Sequence, residues 1–203
     1  MGQKAKFGGM DLNISVKSQE NWTQPDTLWS ALSIDKLIQA KGKQPVILSL
    51  IGGGGKTSYI RRLAWEGREK GFKVLVMTTT HMASPKQFAV LERDLEMTDK
   101  MLEKESIAVA GRPVKDGKIA FWDEDFYKKA LELADVVLIE ADGSKRLPVK
   151  VPGPNEPVIP EDSDAIICIY GLDAVGKQAD ACCFRLNQAE GLLNLKEEEK
   201  NGN

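Results

Sequence analysis

The run Gly52-Gly53-Gly54-Gly55-Lys56-Thr57-Ser58 joins residue types that handle phosphate. Consecutive glycines let a chain reverse tightly enough to aim backbone N–H groups at phosphate oxygens, and a helix starting directly afterwards adds its positive N-terminal end. Lys56 would reach the terminal phosphates, and the Thr57 hydroxyl would take Mg²⁺. The usual nucleotide loop reads G-x-x-x-x-G-K-[ST], and counting back from Gly55 meets Leu50 where the first glycine should stand. A dinucleotide loop fits worse, because G-x-G-x-x-G begun at Gly52 needs a glycine where this chain has Thr57. The run is therefore either a shortened phosphate loop or a glycine-rich turn that binds nothing.

A phosphate loop by itself leaves Mg²⁺ half-coordinated and the attacking water unplaced, so an acidic residue is expected at the end of a neighbouring apolar strand. The stretch VVLIEADGSKR supplies Glu140 at the end of the run and Asp142 two residues on, both on one side of an extended chain. Lys56, Glu140 and Asp142 form the candidate catalytic set, and Thr57, Glu140 and Asp142 the candidate Mg²⁺ set. Glu140 is the better metal candidate and Asp142 the better one for orienting a nucleophile, with exchanged roles or a pair of solvated loop acids as the alternatives. Gly143 lets backbone approach a ligand.

In Thr78-Thr79-Thr80-His81, Thr79 and Thr80 could hold phosphate or Mg²⁺, although threonines suit a strand end on propensity alone. Lys145, Arg146 and Lys150 offer positive charge to a phosphate or an acidic substrate, or form an ordinary solvated basic loop. His81 is the single histidine and the three cysteines are scattered, which excludes a zinc site. Cys182-Cys183 could carry a redox or chalcogen group only with a depressed thiol pKa, and Cys168, inside an apolar run, reads as a small core residue.

The surrounding elements are those that would position such a site. PVILSLI before the glycines, FKVLVMTTT, VVLIE and AIICIY are short apolar runs of the kind found in strands buried on both faces. Residues 56–70 give an amphipathic helix closed by Gly71, residues 27–42 a first helix ending at Gly42, and DEDFYKKALELAD another with Phe126, Tyr127 and Ala130 on one stripe. SIAVAGRPVKDGKIAFWD reads as two strands joined at Lys115-Asp116-Gly117. Strand and helix alternate, which predicts a mostly parallel sheet under helices, with binding at the carboxyl ends of the strands. GSKRLPVKVPGPNEPVIPEDS carries Pro148, Pro152, Pro154, Pro157 and Pro160 and must be an extended loop, of a length more often functional than passive.

A lead-in over residues 1–26, one α/β domain over 27–195 and a polar tail over 196–203 are expected. The 203 residues, 28 basic and 30 acidic with net charge -2, give no field that would attract nucleic acid or an anionic membrane. No apolar run approaches the roughly eighteen residues of a membrane span, and the start lacks a signal-peptide core, so a cytoplasmic protein is expected. Oligomeric state is left open.

The short loop G-x-x-G-K-[ST] on Gly52, Gly55, Lys56 and Thr57 is similar to that of the Mur ligases and folylpolyglutamate synthases. Taken together, LIGGGGKTS, VMTTTHM, IEADGSKRLPVKVPGPNEPVIP and IYGLDAVGK resemble the YqeC family, accessory proteins of selenium-dependent molybdenum hydroxylases. The resemblance implies a P-loop NTPase-like, three-layer α/β fold and a part in maturing such a hydroxylase or its cofactor. Its motif positions are Gly52, Gly55, Lys56, Thr57, Thr78, Thr79, Thr80, Glu140, Asp142, Gly143, Lys150, Glu156 and Pro157. The family's C-terminal region carries a His-Arg pair where this chain has CCFRLNQAE. The expected ligand is Mg²⁺ with a nucleoside triphosphate, ATP slightly ahead of GTP because the guanine-reading N-K-x-D is not found. An NTP-hydrolysing accessory protein, an ATP-dependent ligase or kinase, and a non-catalytic nucleotide-switched module are the three functional expectations.

Overall fold

Apolar runs without alternation require cover on both faces, and the computed structural model, which describes residues 13–193, provides it. Six strands, β1 (Val46–Gly52), β2 (Val74–Thr78), β3 (Ala89–Val90), β4 (Ile107–Ala110), β5 (Val136–Glu140) and β6 (Ala165–Ile169), make one all-parallel sheet in the order β6-β1-β5-β2-β4-β3. Val46, Leu48 and Leu50 point to one side, where they pack with Trp29, Ile34, Ile60 and Leu63. Those four come from helices α1 (Leu28–Ala31), α2 (Ile34–Lys41) and α3 (Lys56–Glu69). Ile47, Leu75, Val137 and Ile139 point to the other side, onto Leu102 of α4 (Leu95–Glu105) and Phe126, Tyr127 and Ala130 of α5 (Glu124–Leu131). The result is a three-layer α/β/α fold.

The strand order fixes the site. β5 lies between β1 and β2, with Glu140 level with Leu50 on one side and Thr78 on the other. The glycine run after β1, the acids after β5 and the threonines after β2 therefore meet at one carboxyl edge of the sheet, where open parallel sheets bind ligands.

Several local expectations are corrected. The first helix is two, because Ser33 turns left-handed at φ 54° and the chain restarts at Ile34. The run from Ile107 is split: β4 joins the main sheet, and past Gly111 the strands Arg112–Val114 and Lys118–Ala120 form a hairpin, with His81–Ala83 added to its edge. Its three-residue connection, Lys115-Asp116-Gly117 between the paired Val114 and Lys118, reverses through Asp116 at φ 61° and Gly117 at φ 62°, values that asparagine, aspartate and glycine tolerate best. Helix α4 and β3 had no counterpart in the sequence reading, although Asp94 caps α4 by accepting the Met97 N–H at 3.0 Å. The proline-rich loop also contains a strand, Val149–Lys150, paired with Cys183–Phe184. Within the expected lead-in, Val16–Ser18 and Asn21–Thr23 pair as a small hairpin; residues 1–12 and the tail from 194 lie outside the described residues.

Cys168 is exposed rather than in the core. β6 is an edge strand, and its Ile166 and Cys168 face solvent while Ala165, Ile167 and Ile169 turn inward. Among the described residues no helix is long and apolar enough to cross a membrane.

Candidate functional site

The glycine run turns because Gly52, Gly54 and Gly55 adopt φ of 97°, 69° and 113°, which L side chains resist. It also lies against other backbone. A Cβ on Gly52 would sit 2.2 Å from the Ile169 oxygen, one on Gly53 2.6 Å from the Leu147 oxygen, and one on Gly54 2.3 Å from the Gly171 nitrogen. The N–H groups follow the same crowding. Gly52 donates to Asp142 Oδ2 at 2.9 Å, Gly53 to the Ile169 carbonyl at 2.8 Å and Gly54 to the Leu147 carbonyl at 3.1 Å. Three donors expected to face phosphate are thus committed within the protein. The start of α3 is different: Gly55 caps it without a side-chain bond and the Ser58 N–H donates to the Gly55 carbonyl at 2.9 Å, which leaves the Lys56 and Thr57 N–H groups of the first turn for a ligand.

Beneath the loop lies a chain of alternating charges. Lys56 donates to the Gly52 carbonyl and stands 3.0 Å from Asp142 Oδ1, a contact made by charge proximity without hydrogen-bond alignment. Lys150 Nζ lies 3.0 Å from Asp142 Oδ2 and donates to the Gly143 carbonyl at 2.8 Å and to Glu156 Oε2 at 2.6 Å. Arg185 meets the same Glu156 oxygen at 2.8 Å. The side chains of Lys56, Asp142 and Lys150 are 4%, 2% and 1% exposed. Lys150 is therefore neither a solvated loop lysine nor a cation facing the cleft. Burial pushes the Glu156 carboxyl up, but the hydrogen bonds from Arg185 and Lys150 outweigh it and hold the group below its ordinary value.

Above the loop opens a cleft of about 840 Å³. Of the sequence-selected residues, Gly54, Gly55, Lys56, Thr57, Ser58, Thr80, Glu140, Lys145 and Arg146 line it, together with Gly143. Thr57 Oγ1 lies 3.3 Å from Glu140 Oε2 across the mouth of the loop. Burial raises the Glu140 carboxyl above its usual value, Lys56 and the Thr57 hydroxyl act against that rise, and Asp142 adds to it. The Thr80 hydroxyl oxygen is buried and has no hydrogen-bond partner among the described residues, and Thr80 faces the cleft. Lys145 and Arg146 are held there by a left-handed turn, φ 49° and 66°, whose next residue, Leu147, accepts the Gly54 N–H.

Gly52, Gly53, Thr79 and Asp142 are not part of the lining. Thr79 lines a second cleft beside Tyr127 and donates to the Val158 carbonyl at 2.6 Å, so only Thr80 of the two selected threonines meets the loop. Asp142 does not share Glu140's outlook, because its carboxylate turns under the loop to the Gly52 N–H and the two lysines. Glu156 and His81 also line it, and Arg185, Phe184 and Lys118 in its walls were not reached by sequence reasoning. Arg185 and Phe184 arrive through the pairing of Val149–Lys150 with Cys183–Phe184, a contact with no local sequence signal. Cys182 is buried, and burial, with a further push from Cys182, raises the Cys183 thiol, the opposite of what thiolate chemistry needs.

Comparison with known proteins bears on the motif-carrying stretches. The family profile described as "YqeC protein" matches residues 48–187. The chain is 35% identical over 157 residues to the Escherichia coli (strain K12) protein described as "Uncharacterized protein YqeC", covering 72% of this chain. The match spans 59% of that relative's length. No solved structure matches. With the glycine loop, the acids after β5, the proline-rich segment and Arg185 all inside the matched region, the chain belongs to the YqeC family.

Proposed function

We propose that this protein binds a Mg²⁺-nucleoside triphosphate, ATP ahead of GTP, and hydrolyses it in the cytoplasm while assisting maturation of a selenium-dependent molybdenum hydroxylase. The observation that carries the nucleotide half is the pairing of Thr57 Oγ1 with Glu140 Oε2 at 3.3 Å, at the start of a 14-residue helix behind a glycine turn. A hydroxyl and a carboxylate oxygen suit a hard cation, and octahedral Mg²⁺ ligands at about 2.1 Å from the ion lie about 3 Å from one another. A Mg²⁺ ion there would keep several of its waters and borrow phosphate oxygens, as this ion commonly does beside one or two protein ligands. Thr57 and Glu140 would hold it, and it would neutralise charge developing on the phosphates.

The chain's own groups do the rest. The α3 N-terminus and Lys56 receive the phosphates, and Thr80, Lys145 and Arg146 close on them from the far side. Asp142 anchors the loop from below. A ligase or kinase is the second reading, favoured by the cationic wall of Lys118, Lys145 and Arg146, which leaves room beside the loop for an anionic acceptor. Product analysis separates the two: turnover of ATP without acceptor supports hydrolysis, acceptor-dependent turnover supports transfer, and binding without turnover makes the protein a switch. The maturation half rests on family membership. A strain lacking this protein should still make its hydroxylase, but inactive and short of selenium; full activity and selenium content would remove that role.

A further inference from the structure

Two buried lysines share one buried carboxylate, and they hold it differently. Lys150 spends its ammonium on three oxygens, those of Asp142, Gly143 and Glu156, and its side chain is 1% exposed, so it cannot travel to a ligand. Lys56 lines the cleft and meets the other Asp142 oxygen without hydrogen-bond alignment. We propose that Lys150 is a positioning residue that frees Lys56, serving as the fixed counter-cation of Asp142 so that Lys56 can leave the carboxylate for the phosphates of a nucleotide. The proposal rests on the nucleotide reading above.

The reasoning is a count of charges. When Lys56 leaves, Asp142 still holds the Gly52 N–H and Lys150 on Oδ2, so no buried carboxylate is stranded. Lys150 in turn stays balanced by Glu156, which Arg185 fixes from the other side. Without Lys150, Lys56 is the only cation left to Asp142 among the described residues, and the same movement would strand a carboxylate that is 2% exposed. Lys56 would then be held back from its ligand. The chain Lys56, Asp142, Lys150, Glu156, Arg185 thus links the loop to the strand Cys183–Phe184, which explains why a cation outside the cleft matters inside it.

The test is a double-mutant cycle on the full chain with two readouts. One is Mg²⁺-ATP affinity by calorimetry; the other is the acylation rate of the Lys56 amine in the unliganded protein, followed by peptide mass spectrometry, with melting curves to confirm folding. Lys150→Met should weaken affinity about tenfold or more and slow Lys56 acylation, and adding Asp142→Asn should restore both, a coupling within the range of contacting residues. Lys150→Arg, which keeps the charge, should stay near the parent. A purely structural lysine gives the reverse, with the double variant worse than either single one, and that result overturns the proposal. If the parent binds no nucleotide but acylation follows the expected pattern, the nucleotide reading fails and the lysine coupling stands. If Lys150→Met binds Mg²⁺-ATP like the parent, or folds but acylates at the parent rate, the coupling is wrong.

Discussion

Asp142 takes the Gly52 N–H and two ammonium groups on a carboxylate that water barely reaches, so the partners of this cluster are unequal in what their loss does. Removing Asp142 as alanine leaves the buried Lys56 without its carboxylate and Lys150 with Glu156 alone, which Arg185 already shares, and should cost about 3–5 kcal/mol. Removing Lys56 as alanine leaves Asp142 with Lys150 and the Gly52 N–H, and should cost only about 1–3 kcal/mol. Urea unfolding of the two variants checks the order, and equal losses would contradict it. Lys56→Ala should also abolish Mg²⁺-nucleotide binding in a protein that still folds. Glu140→Gln should instead keep nucleotide binding while flattening its dependence on Mg²⁺, read by titrating the ion at fixed nucleotide. At this scale the sequence was informative about residue types and silent about direction. Glu140 and Asp142 are two residues apart and were expected to look the same way, but β5 ends at Glu140, and beyond it the chain no longer alternates like a strand. Lys150 was indistinguishable from the exposed Lys145 and Arg146 for a similar reason: burial of a lysine depends on Asp142 and Glu156 arriving from elsewhere in the loop.

The four glycines answer to different constraints, and substitution should separate them. Gly53 meets backbone at 2.6–2.7 Å from Leu147 and Pro148, so Gly53→Ala must displace the proline-rich segment from the loop. Gly55 has open space for a methyl group and only its φ of 113° to strain, so Gly55→Ala should cost about 1–2 kcal/mol. Melting temperatures should therefore fall further for Gly53→Ala than for Gly55→Ala, and the opposite order would mean that the segments do not press on the loop. Sequence placed the turn correctly and could not rank its glycines, because the crowding comes from Ile169, Leu147 and Gly171, more than ninety residues away. The long helices and buried strands were legible from periodicity. The splits at Ser33 and Gly111 were not: the first turns on one φ, and the second falls where a Cβ would meet Ile119 at 2.8 Å, a crowding that only the folded hairpin creates.

Across the whole molecule, the three-layer architecture follows from apolar runs too continuous for a half-exposed sheet, and it brings three strand ends to one edge. The C-terminal strand Cys183–Phe184 closes that edge through the Glu156 and Arg185 pair. Glu156 has a lowered pKa, so its stabilising contribution is present above its ordinary 4.5 and is lost as pH falls through the lowered value. The parent should accordingly be more stable than Glu156→Gln at neutral pH, with the gap closing below pH 4.5, as thermal unfolding at several pH values will show. A gap that is constant with pH would mean that the carboxylate's charge does not hold the strand in place.

The central claim is that the cleft over Gly55, Lys56, Thr57 and Glu140 takes a Mg²⁺-bound nucleoside triphosphate, and ligand-induced stabilisation tests it most directly, because any ligand bound to the native state must raise its melting temperature. Melting curves of the parent and of Lys56→Ala are recorded with ATP, GTP and their diphosphates, each with and without Mg²⁺. The account predicts a rise for the parent with the triphosphates, larger for ATP and dependent on Mg²⁺, and no rise for Lys56→Ala. A parent that melts at the same temperature across the whole panel, or a Lys56→Ala variant that responds as the parent does, would contradict it.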